Sequence, residues 1–156
     1  VDGLGANGEF PSATAEAIDW LLAGYNVELK GKNIAIVGHG KLVGAPLAKL
    51  WLDRGLNVTV IDVNTADQKT PLLASNIIVT ATGVPGIITG DRVPQNAVIV
   101  DAGTASEGGV VVGDVAAEVR ERSDITITPI KGGVGPLTIV LLLDHVIQAA
   151  TKLVKK

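Results

Sequence analysis

Apolar residues recur along this chain in short runs that turn residues separate. The runs lie at 33–37, 57–62, 76–80, 97–101 and 125–128. Uninterrupted apolar runs of this length are typical of strands that are buried on both faces of a parallel sheet. Helical segments lie between them, so the pattern predicts an α/β fold built on a doubly wound parallel sheet of about five strands.

The helical segments are recognised by apolar residues three and four positions apart. The first has this spacing at Ile18, Leu21, Leu22 and Tyr25, and Ser12 or Thr14 can cap its start. The second is expected to have Pro46 in its first turn and to end before Gly55, which suits the left-handed position after a helix. A third, longer helix is predicted at about 136–152.

A valine-rich segment after the fourth strand predicts a β-hairpin arm. Gly108 and Gly109 precede Val110–Val112, whose side chains are apolar on both faces of the arm. An exposed strand edge of this kind pairs readily with another chain. We therefore expect self-association, most simply as a homodimer.

Composition narrows the class of protein. The chain has 156 residues, of which 47% are hydrophobic and 19% charged, with a net charge of -3 and no cysteine. These values fit one globular domain over 1–156 and exclude a disordered chain. The acidic balance disfavours a nucleic-acid partner. The lack of cysteine excludes disulfides and thiolate zinc sites, and it fits a cytoplasmic protein.

Two further features concern the chain as a whole. It contains no methionine and begins with Val1, so we expect either a processed end or a cut through a longer protein. Its longest apolar run, Ile139–Leu143, is followed at once by Asp144 and His145. We therefore expect no membrane span and no membrane partner.

The most informative segment follows the first predicted strand and opens the second helix. It reads Gly-His-Gly-Lys-Leu-Val-Gly-Ala-Pro over residues 38–46. Gly38 allows a sharp turn, Gly40 lets a phosphate approach the backbone, and Gly44 lets the helix pack closely on the strand. The helix N-terminus adds free N–H groups and the positive end of its dipole. The pattern indicates a dinucleotide site; the alternative is a plain glycine-rich turn.

Asp62 supports the dinucleotide interpretation. It closes the second predicted strand, 24 residues after Gly38. This is close to the spacing of the carboxylate that binds the adenosine ribose hydroxyls. A carboxylate at this position repels a 2′-phosphate, which favours NAD over NADP. The alternative is that Asp62 only ends a strand and caps a turn.

A second glycine cluster precedes the last helix. Gly132, Gly133 and Gly135 stand just before Pro136, and they either present backbone N–H groups to a ligand or form an ordinary turn into the helix. Of the two histidines, His145 lies in the long helix and is expected to be a packing residue. No spacing of His, Asp and Glu fits a metal site, and no serine has the context of a nucleophile.

Seven segments of the chain together form a recognisable set. They are Val1-Asp2-Gly3, the position of Thr14, Gly38–Pro46, Thr80–Pro85, Asp101-Ala102-Gly103, Val112–Val115 and Thr128–Thr138. The last, TPIKGGVGPLT, is long and specific. These segments resemble the bifunctional methylenetetrahydrofolate dehydrogenase/cyclohydrolase enzymes of the FolD type. The resemblance implies the family's C-terminal NAD(P)-binding domain, with a Rossmann-like sheet.

The resemblance also implies roles for individual residues. The cofactor is expected to contact Gly38, His39, Gly40, Lys41, Asp62, Val63, Ala81, Gly83, Gly103, Thr104 and Thr138. The first four of these belong to the pyrophosphate and adenosine side. Asp2, Gly132 and Gly133 are expected beside the folate substrate. The family's N-terminal folate domain, with its catalytic lysine and a tyrosine, has no counterpart in these residues, so the chain alone is expected to be inactive.

The family's chemistry gives the function expected of a complete protein. Such an enzyme oxidises 5,10-methylenetetrahydrofolate with NAD(P) and hydrolyses 5,10-methenyltetrahydrofolate to 10-formyltetrahydrofolate. The rival interpretation is a stand-alone, non-catalytic dinucleotide-binding or assembly domain. Asp2 argues against the rival, because a non-catalytic module needs no anchor for the pterin ring.

Three departures from the family pattern bear on the cofactor and substrate. His39-Gly40 stands where the family has Arg-Ser, and Asp62 lies where the family has Cys-His-Ser after the second strand. The family's Arg and Ser help to bind the 2′-phosphate of NADP, so their loss together with Asp62 favours NAD. Lys131 replaces a family proline, and nothing in the sequence explains it.

Overall fold

The structure is a computed structural model of the chain, and it describes residues 10–108 and 110–154. The helices of this part are α1 (Ala13–Gly24), α2 (Gly44–Asp53), α3 (Lys69–Leu73), α4 (Ala117–Arg120) and α5 (Val134–Val154). The strands are β1 (Asn33–Val37), β2 (Asn57–Ile61), β3 (Ile77–Thr80), β4 (Val98–Asp101), β5 (Ala105–Glu107), β6 (Val110–Val112) and β7 (Thr126–Ile127).

Five strands form one parallel sheet in the order β2-β1-β3-β4-β7. The chain first moves outward from β1 to β2 and then returns to build β3, β4 and β7 on the other side of β1. The predicted doubly wound α/β fold is therefore confirmed. The direction of winding reverses between β1 and β3, and the crevice at the carboxyl ends of such strands is where open α/β sheets bind ligands.

Alternate residues of the strands face two separate cores. Ile34 and Ile36 of β1 pack with apolar residues of α1, α2 and α5. Ala35 and Val37, on the opposite face of the same strand, pack with apolar residues of α3 and α4. Burial on both faces explains why the sequence shows uninterrupted apolar runs instead of alternation.

The long helices α1, α2 and α5 lie where the sequence predicted helices, with small differences at their starts. Ser12 precedes α1, but its hydroxyl makes no capping bond and instead donates to the carbonyl oxygen of Leu42, 2.6 Å away. α5 begins at Val134, two residues before the predicted start. The short helix α4 was not predicted, because four residues are too few to show a helical period.

The predicted hairpin arm is present. β5 and β6 pair in antiparallel register, with Ala105 opposite Val112, and they form a two-stranded sheet of their own. Val111 is 48% exposed.

α5 lies along α1 and buries only one side of itself. His145 is 2% exposed, its Nε2 lies 2.6 Å from the Glu16 carboxylate of α1, and its ring stacks on Phe10 with 5.1 Å between ring centres. These contacts agree with the packing role expected of His145. On the other side of the helix, Ile139 and Ile147 are more than 60% exposed.

By length and composition alone, α5 is able to cross a membrane, and 17% of its Val134–Lys152 stretch is buried. A single helix of this kind is weak evidence for a membrane protein. No span was expected from the sequence because Asp144 and His145 interrupt the apolar run. The structure shows one continuous helix that joins the apolar residues on both sides of Asp144.

Candidate functional site

The glycine-rich loop after β1 lies where the winding of the sheet reverses. Gly38 has a φ of +97°, a conformation that residues with a side chain rarely adopt. Its N–H donates to the carbonyl oxygen of Ile61 at the end of β2, 2.8 Å away. A Cβ on Gly38 would lie 2.8 Å from the carbonyl oxygen of Ala81, just after β3. Glycine at this position therefore lets the loop fit against the ends of both neighbouring strands.

The other two glycines of the loop differ in their surroundings. Gly44 is the first residue of α2, and a Cβ there would overlap the carbonyl oxygen of Gly38. A Cβ on Gly40 would meet no atom within 4 Å. Gly44 is therefore required for packing, whereas Gly40 leaves open space beside the backbone near the N-terminus of α2. The helix dipole places positive potential at that end of α2, which suits a phosphate.

A cleft of about 400 Å³, called the first cleft below, opens at the carboxyl ends of β1, β2 and β3. Its lining residues are Val37, Gly38, His39, Gly40, Ile61, Asp62, Val63, Gln68, Ala81, Thr82, Val84 and Ile87. The fold thus brings together six of the residues that the sequence analysis assigned to the cofactor. Gln68 and Thr82 were not singled out from the sequence.

Asp62 shapes a turn and lines the first cleft at the same time. Its Oδ1 accepts hydrogen bonds from the Asn64 N–H, 2.9 Å, and from the Thr65 hydroxyl, 3.2 Å. The Asn64 N–H above all, with help from Thr65, holds the pKa of this carboxyl below its ordinary value. Its Oδ2 takes no part in these bonds. The two alternatives for Asp62, a turn cap and a ribose-binding carboxylate, are therefore compatible.

A second cleft, of about 430 Å³, lies at the carboxyl ends of β4 and β7. Its lining residues are Thr14, Leu42, Val43, Asp101, Ala102, Gly103, Thr104, Val111, Pro129, Ile130, Gly132, Gly133, Val134, Gly135, Pro136 and Thr138. It thus collects Gly103 and Thr104 with the second glycine cluster. The glycine-rich loop borders both clefts, because His39 and Gly40 line the first and Val43 lines the second.

Of the predicted cofactor residues not yet placed, Thr138 also lines the second cleft, and two others lie outside both clefts. Lys41 is exposed and, like Gly83, lines neither cleft. Gly83 has a φ of +70°, so glycine there serves the turn after β3. The hydroxyl of Thr138 donates to the carbonyl oxygen of Val134 within α5, 3.2 Å away. Asp2 falls outside the described residues.

A buried carboxylate at the end of β4 was not recognised from the sequence as a site residue. Asp101 accepts hydrogen bonds from the N–H groups of Gly103 and Asp114, both 3.0 Å, and of Val115, 3.1 Å. Its Oδ2 also forms an ion pair with the guanidinium of Arg120 in α4. Asp101 therefore fixes the start of the segment that lines the second cleft.

A second carboxylate, Asp114, is fully buried beside the first. Its Oδ2 accepts hydrogen bonds from the Thr80 hydroxyl, 2.7 Å, and from the Thr82 N–H, 2.6 Å. Its Oδ1 has no hydrogen-bond partner among the described residues. A Cβ on Gly103 would overlap this carboxylate. The available sequence signal was a glycine close to each aspartate, in Asp101-Ala102-Gly103 and Gly113-Asp114.

The carboxylates and histidines do not form a metal centre in the part of the chain that the structure describes. Within residues 10–108 and 110–154, no group of three or more His, Asp or Glu side chains is placed to hold a metal ion. The site geometry is that of two adjoining clefts, each lined by glycines together with polar and apolar side chains.

The sequence model of the tetrahydrofolate dehydrogenase/cyclohydrolase NAD(P)-binding domain matches residues 12–154. The chain belongs to this family. The resemblance found in the glycine segments is thereby confirmed, and the two clefts lie in an NAD(P)-binding domain.

Relatives of this tetrahydrofolate dehydrogenase/cyclohydrolase domain include whole proteins of about twice its length. The bifunctional protein FolD of Methanosarcina barkeri is 44% identical over 147 residues, which cover 94% of this chain and 51% of that protein. The chain thus spans about half the length of the curated relatives it matches.

Two solved structures share the fold closely. The FolD methylenetetrahydrofolate dehydrogenase/cyclohydrolase of Campylobacter jejuni has a TM-score of 0.84 and 34% identity, covering 94% of this chain and 52% of that one. The FolD enzyme of Trypanosoma brucei, solved with NADP cofactor and an inhibitor, has a TM-score of 0.85 and 33% identity, covering 96% of this chain and 54% of that one.

Proposed function

We propose that this chain binds a nicotinamide dinucleotide across the carboxyl edge of its sheet and serves as the cofactor half of a methylenetetrahydrofolate dehydrogenase/cyclohydrolase. The supporting observation is the pair of adjoining clefts on the two sides of the glycine-rich loop. A dinucleotide needs such a bipartite site, because its two nucleotides lie on opposite sides of the point where the winding reverses.

The residues present fit such a cofactor. The open space beside Gly40 admits a pyrophosphate next to the N-terminus of α2. Asp62 offers a carboxylate to ribose hydroxyls, His39 places an imidazole on the wall of the first cleft, and Lys41 adds a cationic side chain to the loop. Gly103 and Thr104 border the space for the nicotinamide. When bound, the nicotinamide accepts the hydride, and the protein's part is to orient it and to exclude water.

The complete enzyme would oxidise 5,10-methylenetetrahydrofolate and hydrolyse the methenyl product to 10-formyltetrahydrofolate. Gly132 and Gly133, which line the second cleft, would then border the folate beside the nicotinamide. The family's catalytic lysine segment has no counterpart in these residues, so we expect no turnover from the 156-residue chain alone. An assay of methylenetetrahydrofolate oxidation and methenyltetrahydrofolate hydrolysis tests this, and turnover by the pure chain would contradict it.

We also propose that NAD is preferred over NADP. The Asp62 carboxylate lies on the wall of the first cleft and remains ionised because its pKa is lowered. A 2′-phosphate at that wall would bring close to two further negative charges against it. Lys41, a cationic side chain of the same loop, offsets part of this repulsion. A net preference of about tenfold is expected, which is a small share of the unscreened repulsion.

The test is calorimetric titration of NAD and NADP into the wild type and Asp62→Asn. Asparagine keeps an oxygen for the Asn64 N–H, so the turn survives while the charge is lost. The matched control is Asp67→Asn, since Asp67 accepts the N–H groups of Lys69 and Thr70, both 3.0 Å, and lines neither cleft. Asp62→Asn should remove most of the preference and Asp67→Asn none of it. Equal affinity of the wild type for both dinucleotides would overturn the assignment of Asp62.

We further propose that the chain forms a homodimer in the cytoplasm through its hairpin arm. β6 pairs only with β5 among the described strands, so one edge of the two-stranded sheet is free to pair. The test is sedimentation of the wild type, of Val111→Lys, and of Leu73→Lys as an exposed apolar control in α3. Val111→Lys should dissociate the dimer and Leu73→Lys should not. A monomeric wild type at high micromolar concentration would contradict the proposal.

A further inference from the structure

We propose that Asp114 is a positioning residue that holds the walls of the two clefts in register, so that both halves of one dinucleotide bind at once. The inference rests on the proposed function, because it concerns how the same cofactor is held. Asp114 lines neither cleft and is fully buried, so it acts through the backbone segments that it contacts.

The first segment is the loop that follows β3. Asp114 Oδ2 accepts the N–H of Thr82, which lines the first cleft, at 2.6 Å, and the hydroxyl of Thr80, the last residue of β3, at 2.7 Å. These partners lie 32 and 34 residues away in sequence. The carboxylate therefore ties the first cleft to a distant part of the chain.

The second segment is the loop that follows β4. Gly103, which lines the second cleft, packs so closely on the Asp114 carboxylate that a Cβ would overlap it. The N–H of Gly103 and the N–H of Asp114 both donate to Oδ1 of Asp101, each at 3.0 Å. The position of Gly103 is thus fixed on one side by Asp101 and on the other by Asp114.

A third contact keeps Asp114 itself in place. Its carbonyl oxygen accepts the N–H of Ile88, 3.0 Å away, and Val115 forms an isolated parallel bridge with Ile88. Asp114 is therefore anchored by its backbone, so its carboxylate is a fixed reference for both loops. A preorganised site of this kind binds an extended ligand better than one whose halves move independently.

The binding experiment compares a ligand that spans both clefts with one that needs only the first. NAD and ADP are titrated into the 156-residue wild type, Asp114→Ala, Asp114→Asn and the control Asp91→Asn, which changes an exposed carboxylate outside both clefts. Asp114→Ala should lose about tenfold or more in NAD affinity but at most about threefold in ADP affinity. Asp114→Asn keeps an oxygen for Thr80 and Thr82 and should recover most of the loss, while Asp91→Asn should match the wild type.

A second measurement needs no ligand. Amide hydrogen exchange at Thr82 and Gly103 should be faster in Asp114→Ala than in the wild type and nearly restored in Asp114→Asn. The Thr82 N–H donates to the Asp114 carboxylate directly, whereas Gly103, whose N–H donates to Asp101, is held in place by packing against that carboxylate. If Asp114→Ala does not fold, Thr80→Val takes its place, since it removes one donor to Asp114 and should lower NAD affinity by more than ADP affinity.

The outcomes distinguish a failure of the positioning role of Asp114 from a failure of the proposed dinucleotide binding. Equal losses for NAD and ADP in Asp114→Ala would show a merely structural role and overturn the inference, as would unchanged exchange at Thr82 and Gly103. A wild type that binds neither NAD nor NADP would instead contradict the proposed function, and the exchange data would then decide by themselves whether Asp114 positions the loops.

Discussion

The Asp62 wall of the first cleft is a turn whose bonds join near neighbours in sequence, whereas the second cleft is held by buried side chains that bond to residues far apart in the chain. In the first, Asp62 bonds to residues two and three positions away, in a turn that is partly exposed. In the second, Asp101 bonds to Asp114, Arg120 and Thr128, which lie 13, 19 and 27 residues away.

This contrast indicates where each cleft is sensitive to change. A local turn at the surface keeps its shape when one charge is removed, because its backbone remains free to bond to water. A buried carboxylate has no such replacement for a lost partner. Charge changes at the first cleft should therefore alter ligand choice, and changes at the second should alter stability.

Removal of the Arg120 guanidinium, which pairs with Asp101 at the second cleft, should have the largest effect on stability. Arg120→Met leaves Asp101, whose side chain is 1% exposed, without its ion-pair partner. We expect a loss of about 3 kcal/mol in the free energy of unfolding, measured by urea denaturation. The control Lys49→Gln breaks an exposed pair with Asp53 and should cost less than about 0.5 kcal/mol. Similar losses in both variants would remove the distinction between the two regions.

Two glycines of the loop after β1 should show separate effects on stability and on binding. Gly44→Ala places a Cβ on the carbonyl oxygen of Gly38 and should cost about 2 kcal/mol of stability despite the better helix propensity of alanine. Gly40→Ala meets open space, so its stability should change by less than about 1 kcal/mol. Its methyl group enters the space proposed for the pyrophosphate, so NAD affinity should fall. Undiminished NAD affinity in Gly40→Ala would place the pyrophosphate elsewhere.

A buried and an exposed hydrogen bond, each from a threonine hydroxyl to an aspartate, can be compared by mutation. Thr80→Val removes the hydroxyl that donates to Asp114 and should cost about 1 kcal/mol, since the acceptor is left buried. Thr89→Val removes an exposed bond of the same length, 2.7 Å, to Asp91 and should cost only a few tenths of a kcal/mol. Urea midpoints measured side by side check the order, and a larger loss in Thr89→Val would reverse the comparison.

The smallest effect on stability is expected when acid protonates Asp91 in its exposed ion pair with Lys69. The hydrogen bond from Lys69, followed by that from Thr89, lowers the pKa of Asp91 from 3.8 to about 2. A carboxyl with a lowered pKa stabilises the fold above its ordinary pKa, and this contribution is lost as the pH falls from 3.8 to about 2. In Asp91→Asn and in Lys69→Gln, the urea midpoint should therefore depend less steeply on pH in that range. An unchanged slope in both variants would show that the pair contributes nothing.

The local parts of the fold could be predicted because their causes are local. Strand β1 has the bounds expected from its apolar run, and Gly55 has the expected positive φ, +75°, after α2. The loop from Gly38 to Gly44 was recognised because its glycines serve turns within a few residues of one another. The family resemblance could be recognised for a similar reason, since each motif that carries it is a continuous run of residues.

The parts that escaped prediction depend on distant residues. Nothing in the neighbourhood of Ser12 shows that its hydroxyl bonds to Leu42 instead of capping a helix. Lys41 and Gly83 match the family's motifs, yet the fold places them outside both clefts.

The sequence by itself determined the sheet, the glycine-rich turn and the carboxylate at Asp62, because apolar period and turn chemistry act between near neighbours. Only the tertiary structure decided that Asp101 and Asp114 lie together beside the two clefts. Their partners come from four different segments that meet at the carboxyl edge of the sheet, and only the completed packing sets the burial that makes those bonds matter.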